Sequence, residues 1–341
     1  MDTDSEIDII SENLTSTPTI NHSLTFKCRD LIQDIPLRID IDTALSMSCF
    51  KDIKHIANGG NATIFLAKYN KNLVVIKMMK ANLKYPAIIS DEFDIELAIL
   101  SRCDHPNVMK IVGAGMNPRK FLVVEYLGGK TLDVVLDKLP WTTSPLQRCL
   151  GVTLSRYRDG QLLFALKKGK ELAMAMYYMH SISKDTIFLH RDLKPNNIGF
   201  TAAGDLKIFD FGLSTWLRRS GNEHEAYLMT GNTGSLRYMA PEVCLQLPYN
   251  DKVDVYSFSI ILWQMAKNKL PFKDLNKAEF LSRVVRSKER PKIDKRWPAA
   301  FITLLTRCWD DDHVNRPQFK SIVETLDQVL EQQQNKASSL F

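Results

Sequence analysis

Two carboxylates, an amide and an ammonium lie in one short stretch of the chain. Asp192, Lys194 and Asn197 belong to the run His190-Arg191-Asp192-Leu193-Lys194-Pro195-Asn196-Asn197, and Asp210 opens Asp210-Phe211-Gly212. The oxygens of Asp and Asn are hard ligands that suit Mg2+ and leave positions for phosphate oxygens and water. A carboxylate can accept the proton of an incoming hydroxyl, and an ammonium beside it can balance the charge of a phosphoryl group in transfer. These types in this order therefore suit holding Mg2+ and ATP and orienting an attacking hydroxyl. Asp-Phe-Gly alone reads equally as a turn after a strand; the longer run and the order of the pair carry the signal.

Such a set needs elements that bring distant segments together. Val74-Val75-Ile76 is an apolar run ending in Lys77. A helical pattern follows, with Phe93, Leu97 and Leu100 apolar and Glu96 among them. Glu92, four residues earlier on the same face, is the alternative acid for Lys77. Residues 53–56, 64–69 and 73–78 read as a strand meander, with two more strands around 108–113 and 121–124. Residues 164–180 carry apolar side chains at helical spacing through Ala165, Leu172, Ala173, Met176 and Met179, a core stripe. The connection over 138–161 contains turn-rich Trp141-Thr142-Thr143-Ser144-Pro145 and Tyr157-Arg158-Asp159-Gly160, and reads as a surface insertion. Lys167-Lys168-Gly169-Lys170 reads as a solvated helix face.

The run at 190–197 and Asp210-Phe211-Gly212 resemble the catalytic and metal-binding loops of the eukaryotic protein kinases. Other segments resemble that family in order: Lys77 and Glu96 as its strand–helix ion pair, Met239-Ala240-Pro241-Glu242 as the close of its activation loop, and Asp254-Val255-Tyr256-Ser257-Phe258 as the helix under the catalytic loop. Cys308-Trp309 and Asn315-Arg316-Pro317 resemble its late helix, whose Arg pairs with the preceding Glu, here Arg316 with Glu242. Lys194 resembles the serine/threonine-specific members, and the late motifs resemble the tyrosine-kinase-like branch. The resemblance implies an α+β, bilobal fold: a small antiparallel β-sheet lobe with one main helix (about 49–124) and a larger, mainly helical lobe (about 128–330). Residues 1–48 would be a partly disordered extension, strand-like in places over 24–41, where it would pack on the small lobe or serve as a docking segment, and 331–341 a tail.

The resemblance also implies roles. Asp192 would be the catalytic base, with Lys194, Lys77 and Glu96 completing the catalytic set. ATP would be held by Ile56, Gly59, Ile64, Val75, Lys77, Val124, Glu125, Leu127, Asn197 and Asp210, and Mg2+ by Asn197 and Asp210. Val124 falls at the gatekeeper position, and the backbone of Glu125 and Leu127 would meet the adenine edge. Arg191 would collect a phosphate on the activation loop, at Thr230 first and Thr233 second, placed there by an upstream kinase; Ser235 would be structural. Three departures stand out. The glycine-rich loop keeps only Gly59 of three glycines, with Ala57 and Ala62 in place of the others, so Gly60 and Asn61 would carry the turn. Asn61 replaces an aromatic at the loop tip. Gly199 replaces an apolar floor for adenine, which predicts poorer packing of the base.

The 341 residues, 45 % apolar and 25 % charged, fit a soluble bilobal domain with an extension. A net charge of +6 without a dense basic run gives no sign of nucleic-acid binding, and no apolar stretch is long enough to span a membrane. Six cysteines without paired spacing suggest reduced thiols, hence a cytoplasmic protein, with the nucleus as the other compartment. The reading is a serine/threonine kinase acting on protein substrates. Its alternatives are a pseudokinase-like ATP-binding scaffold and a dual-specificity kinase.

Overall fold

The structure, a computed structural model, describes residues 35–138, 154–219, 226, 227, 229, 231 and 234–338. The start of the chain expected to be disordered, the middle of the insertion, and Thr230 and Thr233 lie outside the described residues.

Alternating apolar residues pair into one five-stranded antiparallel sheet. Its strands are β1 (Lys51–Asn58), β2 (Ala62–Tyr69), β3 (Asn72–Met79), β4 (Ile111–Gly115) and β5 (Phe121–Glu125), in the order β1-β2-β3-β5-β4. Helix α1 (Pro86–Leu100) packs on the sheet through Ile89, Phe93, Ile99 and Leu100. Proline sits in its first turn, where a missing N–H costs nothing.

The second lobe is mainly helical. It contains α2 (Leu132–Lys138), the long α3 (Leu154–His180) and two small sheets. One pairs β6 (Gly128–Thr131), β8 (Ile198–Thr201) and β9 (Leu206–Ile208); the other pairs β7 (Thr186–Leu189) with β10 (Thr215–Arg218). The short α4 (Pro241–Cys244) leads to α5 (Lys252–Lys267), α6 (Ala299–Cys308) and α7 (Phe319–Ser338). Helix α5 is buried along nearly its whole length; α3 and α6 pack beside it, and α7 packs on α3. Met176 and Met179 are fully buried, as the stripe predicted.

Several expectations are corrected. Residues 154–160 are helical rather than a turn. A helix that is already nucleated gains a hydrogen bond with each residue added, and at Gly160 a side chain would meet open space, so the glycine costs only its propensity. The lysine-rich face of α3 is not simply solvated. Lys168 Nζ donates to Glu171 Oε1 at 2.6 Å and to the Gly204 carbonyl at 2.7 Å, and Gly169 lies tight against Leu262 of α5. Helix α7 runs on through 331–338, into the segment read as a tail.

Residues 35–50 form a strap over the small lobe rather than a strand. Pro36 offers no N–H to a ladder, and one parallel bridge, Asp42 to Gly113, is formed among the described residues. The Arg38 and Ile39 N–H groups donate to the Ser101 carbonyl at 3.0 and 3.2 Å, just past α1. Arg102 Nε returns a bond to the Ile35 carbonyl at 3.0 Å. Leu45 enters a notch in β4: a Cβ at Gly113 would lie 2.4 Å from Leu45 Cδ1, and one at Gly115 would lie 2.2 Å from the Leu45 carbonyl. Arg38 also lies over the ring of Tyr178 in α3, so the strap touches both lobes.

Candidate active site

Strand register places the small-lobe residues. Ile64 lies opposite Lys77, Lys77 opposite Leu122, and Val75 opposite Val124. Side chains alternate along a strand, so Ile64, Val75, Lys77 and Val124 share one face of the sheet. The turn from β1 to β2 closes through Gly59 N–H to the Ala62 carbonyl at 2.9 Å. None of residues 57–62 adopts a left-handed φ, so Ala57 and Ala62 are unstrained and neither Gly60 nor Asn61 is needed for a positive φ. Ile56, at the end of β1, is exposed.

Lys77 brings three elements together. Its Nζ lies 2.7 Å from Glu96 Oε2 on α1 and 2.6 Å from Asp210 Oδ1 in the loop after β9. Glu92 is not its partner. Burial alone would pull the Lys77 ammonium down, but the Asp210 and Glu96 carboxylates outweigh it and hold it above its ordinary value. Burial raises the Glu96 carboxyl, whereas the Lys77 charge holds Asp210 below the usual range. The Asp210 side chain keeps 43 % of its exposure, so it remains accessible to a ligand.

The catalytic loop is held from below by Asp254 of α5. Its Oδ2 accepts the His190 N–H at 2.9 Å and faces His180 Nε2 at 3.0 Å; its Oδ1 accepts the Arg191 N–H at 2.9 Å. Burial works against this anion, but the donors from His180 and His190 win and depress its pKa. The His190 ring packs on Phe211, centroids 5.0 Å apart, and Phe211 is fully buried. Arg191 and Asp210 both have positive φ, at 63° and 67°, a conformation uncommon outside glycine that the surrounding bonds enforce.

Asp192 has both oxygens engaged. Oδ1 accepts the Ser235 N–H at 2.9 Å; Oδ2 accepts Asn197 Nδ2 at 3.0 Å and lies 3.2 Å from Lys194 Nζ. Lys194 Nζ also donates to Ser235 Oγ at 2.9 Å, so Ser235 ties the activation loop to both catalytic-loop charges. With Nδ2 turned to Asp192, Asn197 has its carbonyl Oδ1 as the atom able to ligate a cation, and its backbone carbonyl accepts the Phe209 N–H at 3.0 Å, beside Asp210. This donor set fits Mg2+: one carboxylate and one amide oxygen, with room left for phosphate and water.

Sequence reasoning missed several supports. Gly234 has φ +100°, and a Cβ there would lie 2.5 Å from the Arg191 carbonyl, so only glycine lets this loop approach. Its place just before Ser235 was the available signal. Lys207, a cation inside the apolar strand β9, reaches Glu125 Oε1 at 2.7 Å and anchors the inter-lobe connection. Arg191 is engaged within the fold: Nε donates to the Leu213 carbonyl at 2.7 Å and Nη1 to the Tyr249 hydroxyl at 3.3 Å. Gly199 is closely surrounded. A Cβ there would lie 2.8 Å from Leu127 Cδ1 and 3.1 Å from the Phe209 ring, so these two side chains fill the space. Arg316 and Glu242 form the expected bidentate pair at 2.5 and 3.0 Å.

Residues 50–326 match the family model described as protein tyrosine and serine/threonine kinase. Among curated proteins, the chain is 30 % identical over 275 residues to serine/threonine/tyrosine-protein kinase HT1 of Arabidopsis thaliana, covering 80 % of this chain and 64 % of the relative. It is 31 % identical over 311 residues to serine/threonine-protein kinase VIK of the same plant, covering 90 % and 66 %. It is 32 % identical over 282 residues to human mitogen-activated protein kinase kinase kinase 7, covering 81 % and 41 %. The chain spans less than two thirds of the length of each of these relatives.

Proposed function

Because the chain belongs to the protein kinase family, within its tyrosine-kinase-like group, we propose that it transfers the γ-phosphoryl group of ATP to serine and threonine hydroxyls of protein substrates. The observation that carries this reading is the engagement of Asp192 by Ser235, Asn197 and Lys194. The carboxylate is fixed where it can accept the proton of a substrate hydroxyl and orient its oxygen. Lys194 balances negative charge beside it. Lys77, held by Glu96, is positioned for the α- and β-phosphates. Ile56, Ile64, Val75, Val124 and Leu127 would enclose the base, with Glu125 and Leu127 offering backbone groups to its edge, and Gly59 would lie over the phosphates. Asn197 Oδ1 and Asp210 would hold Mg2+, which when bound neutralises the phosphate oxygens.

Transfer to serine and threonine is supported by the Lys194–Ser235 contact and by the names of the relatives. Transfer to tyrosine as well is a second reading, favoured by the relative named for all three residues. Phosphoamino-acid analysis of a peptide-library reaction decides: phosphoserine and phosphothreonine are expected, and a product dominated by phosphotyrosine overturns the assignment. We also propose that an upstream kinase phosphorylates Thr230 or Thr233, with Arg191 moving from its present partners to the phosphate. The cytoplasm is our proposed location; it rests on the cysteine pattern and, among the described residues, on the free thiols Cys49, Cys103, Cys244 and Cys308.

A further inference from the structure

One contact links the β1–β2 turn to helix α1 without passing through Lys77. Asn61 stands at the tip of that turn, its carbonyl accepting the Lys80 N–H at 3.0 Å. Its Nδ2 donates to Glu92 Oε2 at 3.3 Å. Glu92 lies one helical turn before Glu96, yet the lysine goes to Glu96 and Asp210. Glu92 also borders the metal-binding loop: an atom built at the Cβ of Gly212 would lie 3.4 Å from Glu92 Cβ and 3.9 Å from Oε2. Burial pushes the Glu92 carboxyl up to about 7, against the Asn61 donor and the Lys77 charge and with Asp210 and Glu96 adding to the rise. A half-buried acid beside two others is unfavourable unless something holds it there, and Asn61 is the neutral donor that does.

We propose that Glu92 is a positioning residue for nucleotide binding, anchoring the tip of the β1–β2 turn over the triphosphate site through Asn61. The proposal rests on the kinase reading, which places that turn over the phosphates. Helix α1 thus holds two parts of the site from one face, the lysine through Glu96 and the turn through Glu92. The amide at position 61 gives the turn a side-chain tether.

The test uses the full chain and its Asn61→Ala, Glu92→Ala, Glu92→Gln and Asn61→Ala/Glu92→Ala variants. Binding of a fluorescent ATP analogue with Mg2+ is titrated, and ATP KM and kcat are measured in parallel. Asn61→Ala and Glu92→Ala should each weaken binding about three- to tenfold, the scale of one modest hydrogen bond, with kcat changed less than KM. The double variant should be no weaker than the weaker single variant, because both remove one contact. Glu92→Gln keeps an oxygen that accepts from Asn61 and should bind like the parent. Unchanged affinity in both alanine variants overturns the proposal. So does a Glu92→Gln variant as weak as Glu92→Ala, which would assign the effect to charge. A parent that binds nucleotide without transferring phosphate would instead overturn the kinase activity, while the binding series still judges Glu92. A parent that binds no nucleotide overturns both.

Discussion

Asp192 receives hydrogen bonds from two parts of the chain, the Ser235 N–H on one oxygen and the Asn197 amide on the other. An asparagine here has the same shape and keeps an oxygen for the Ser235 N–H, so it removes the base with the least disturbance of these contacts. Asp192→Asn and Lys77→Met should each lower phosphoryl transfer by about a hundredfold or more, the usual scale for a lost acid–base or charge-balancing group. Asp192→Asn should unfold close to the parent, whereas Lys77→Met leaves the buried Glu96 carboxyl without its cation and should lower thermal stability as well; near-normal turnover in either would sink the site assignment. Gly199 makes a second prediction. Since Leu127 and Phe209 already occupy the space beside it, Gly199→Leu should weaken nucleotide binding, read by the same titration. Tighter binding would restore the idea that the position lacks an adenine floor. The catalytic charges were legible because their order along the chain is specific. The packing around Gly199 was not, because it depends on two side chains from other segments, and a sequence shows the vacancy without what fills it.

The strap makes the prediction at the scale of elements. Leu45 is buried against β4, and two glycines leave the room it needs. Leu45→Ala should cost about 2–5 kcal/mol, the range for a buried leucine truncation, measured by denaturant unfolding of the full chain. Gly113→Val should cost a similar amount by expelling the strap; a neutral result for both would show that the strap is dispensable. The sequence made the meander and the helix bearing Glu96 readable, because strand alternation and helical spacing are local. It foresaw that residues 35–41 pack on the small lobe but read them as strand-like, and it read 157–160 as a turn. In both places the outcome was set by what the segment packs on or extends from: Ser101 and β4 accept the strap, and an established helix continues back through Gly160.

At the scale of the whole molecule, buried charges on α5 and its neighbours connect the catalytic loop to the large lobe. Asp254 sits with a depressed pKa among His180, His190 and Arg191. A carboxyl whose folded pKa lies below its unfolded value stabilises the fold above that unfolded value, near 3.8, and loses this contribution as pH falls through the folded pKa. Asp254→Asn should therefore lower stability at neutral pH by about 1.5–3 kcal/mol and flatten the acid limb of the stability–pH curve. An unchanged acid limb would assign acid unfolding to other carboxylates. The Arg316–Glu242 pair should behave as a buried ion pair: Glu242→Ala strands Arg316, which has no side-chain exposure, and should cost about 3–5 kcal/mol. A loss below about 1 kcal/mol, the scale of exposed pairs, would show the guanidinium to be satisfied by its carbonyl partners alone.

The most direct test of the account is transfer from γ-labelled ATP with Mg2+ to a mixed serine, threonine and tyrosine peptide library, comparing the parent chain with Asp192→Asn. The account predicts labelled phosphoserine and phosphothreonine from the parent and none above background from the variant, with both proteins binding the nucleotide. Equal labelling by the two proteins, or nucleotide binding by the parent without any transfer, would contradict it.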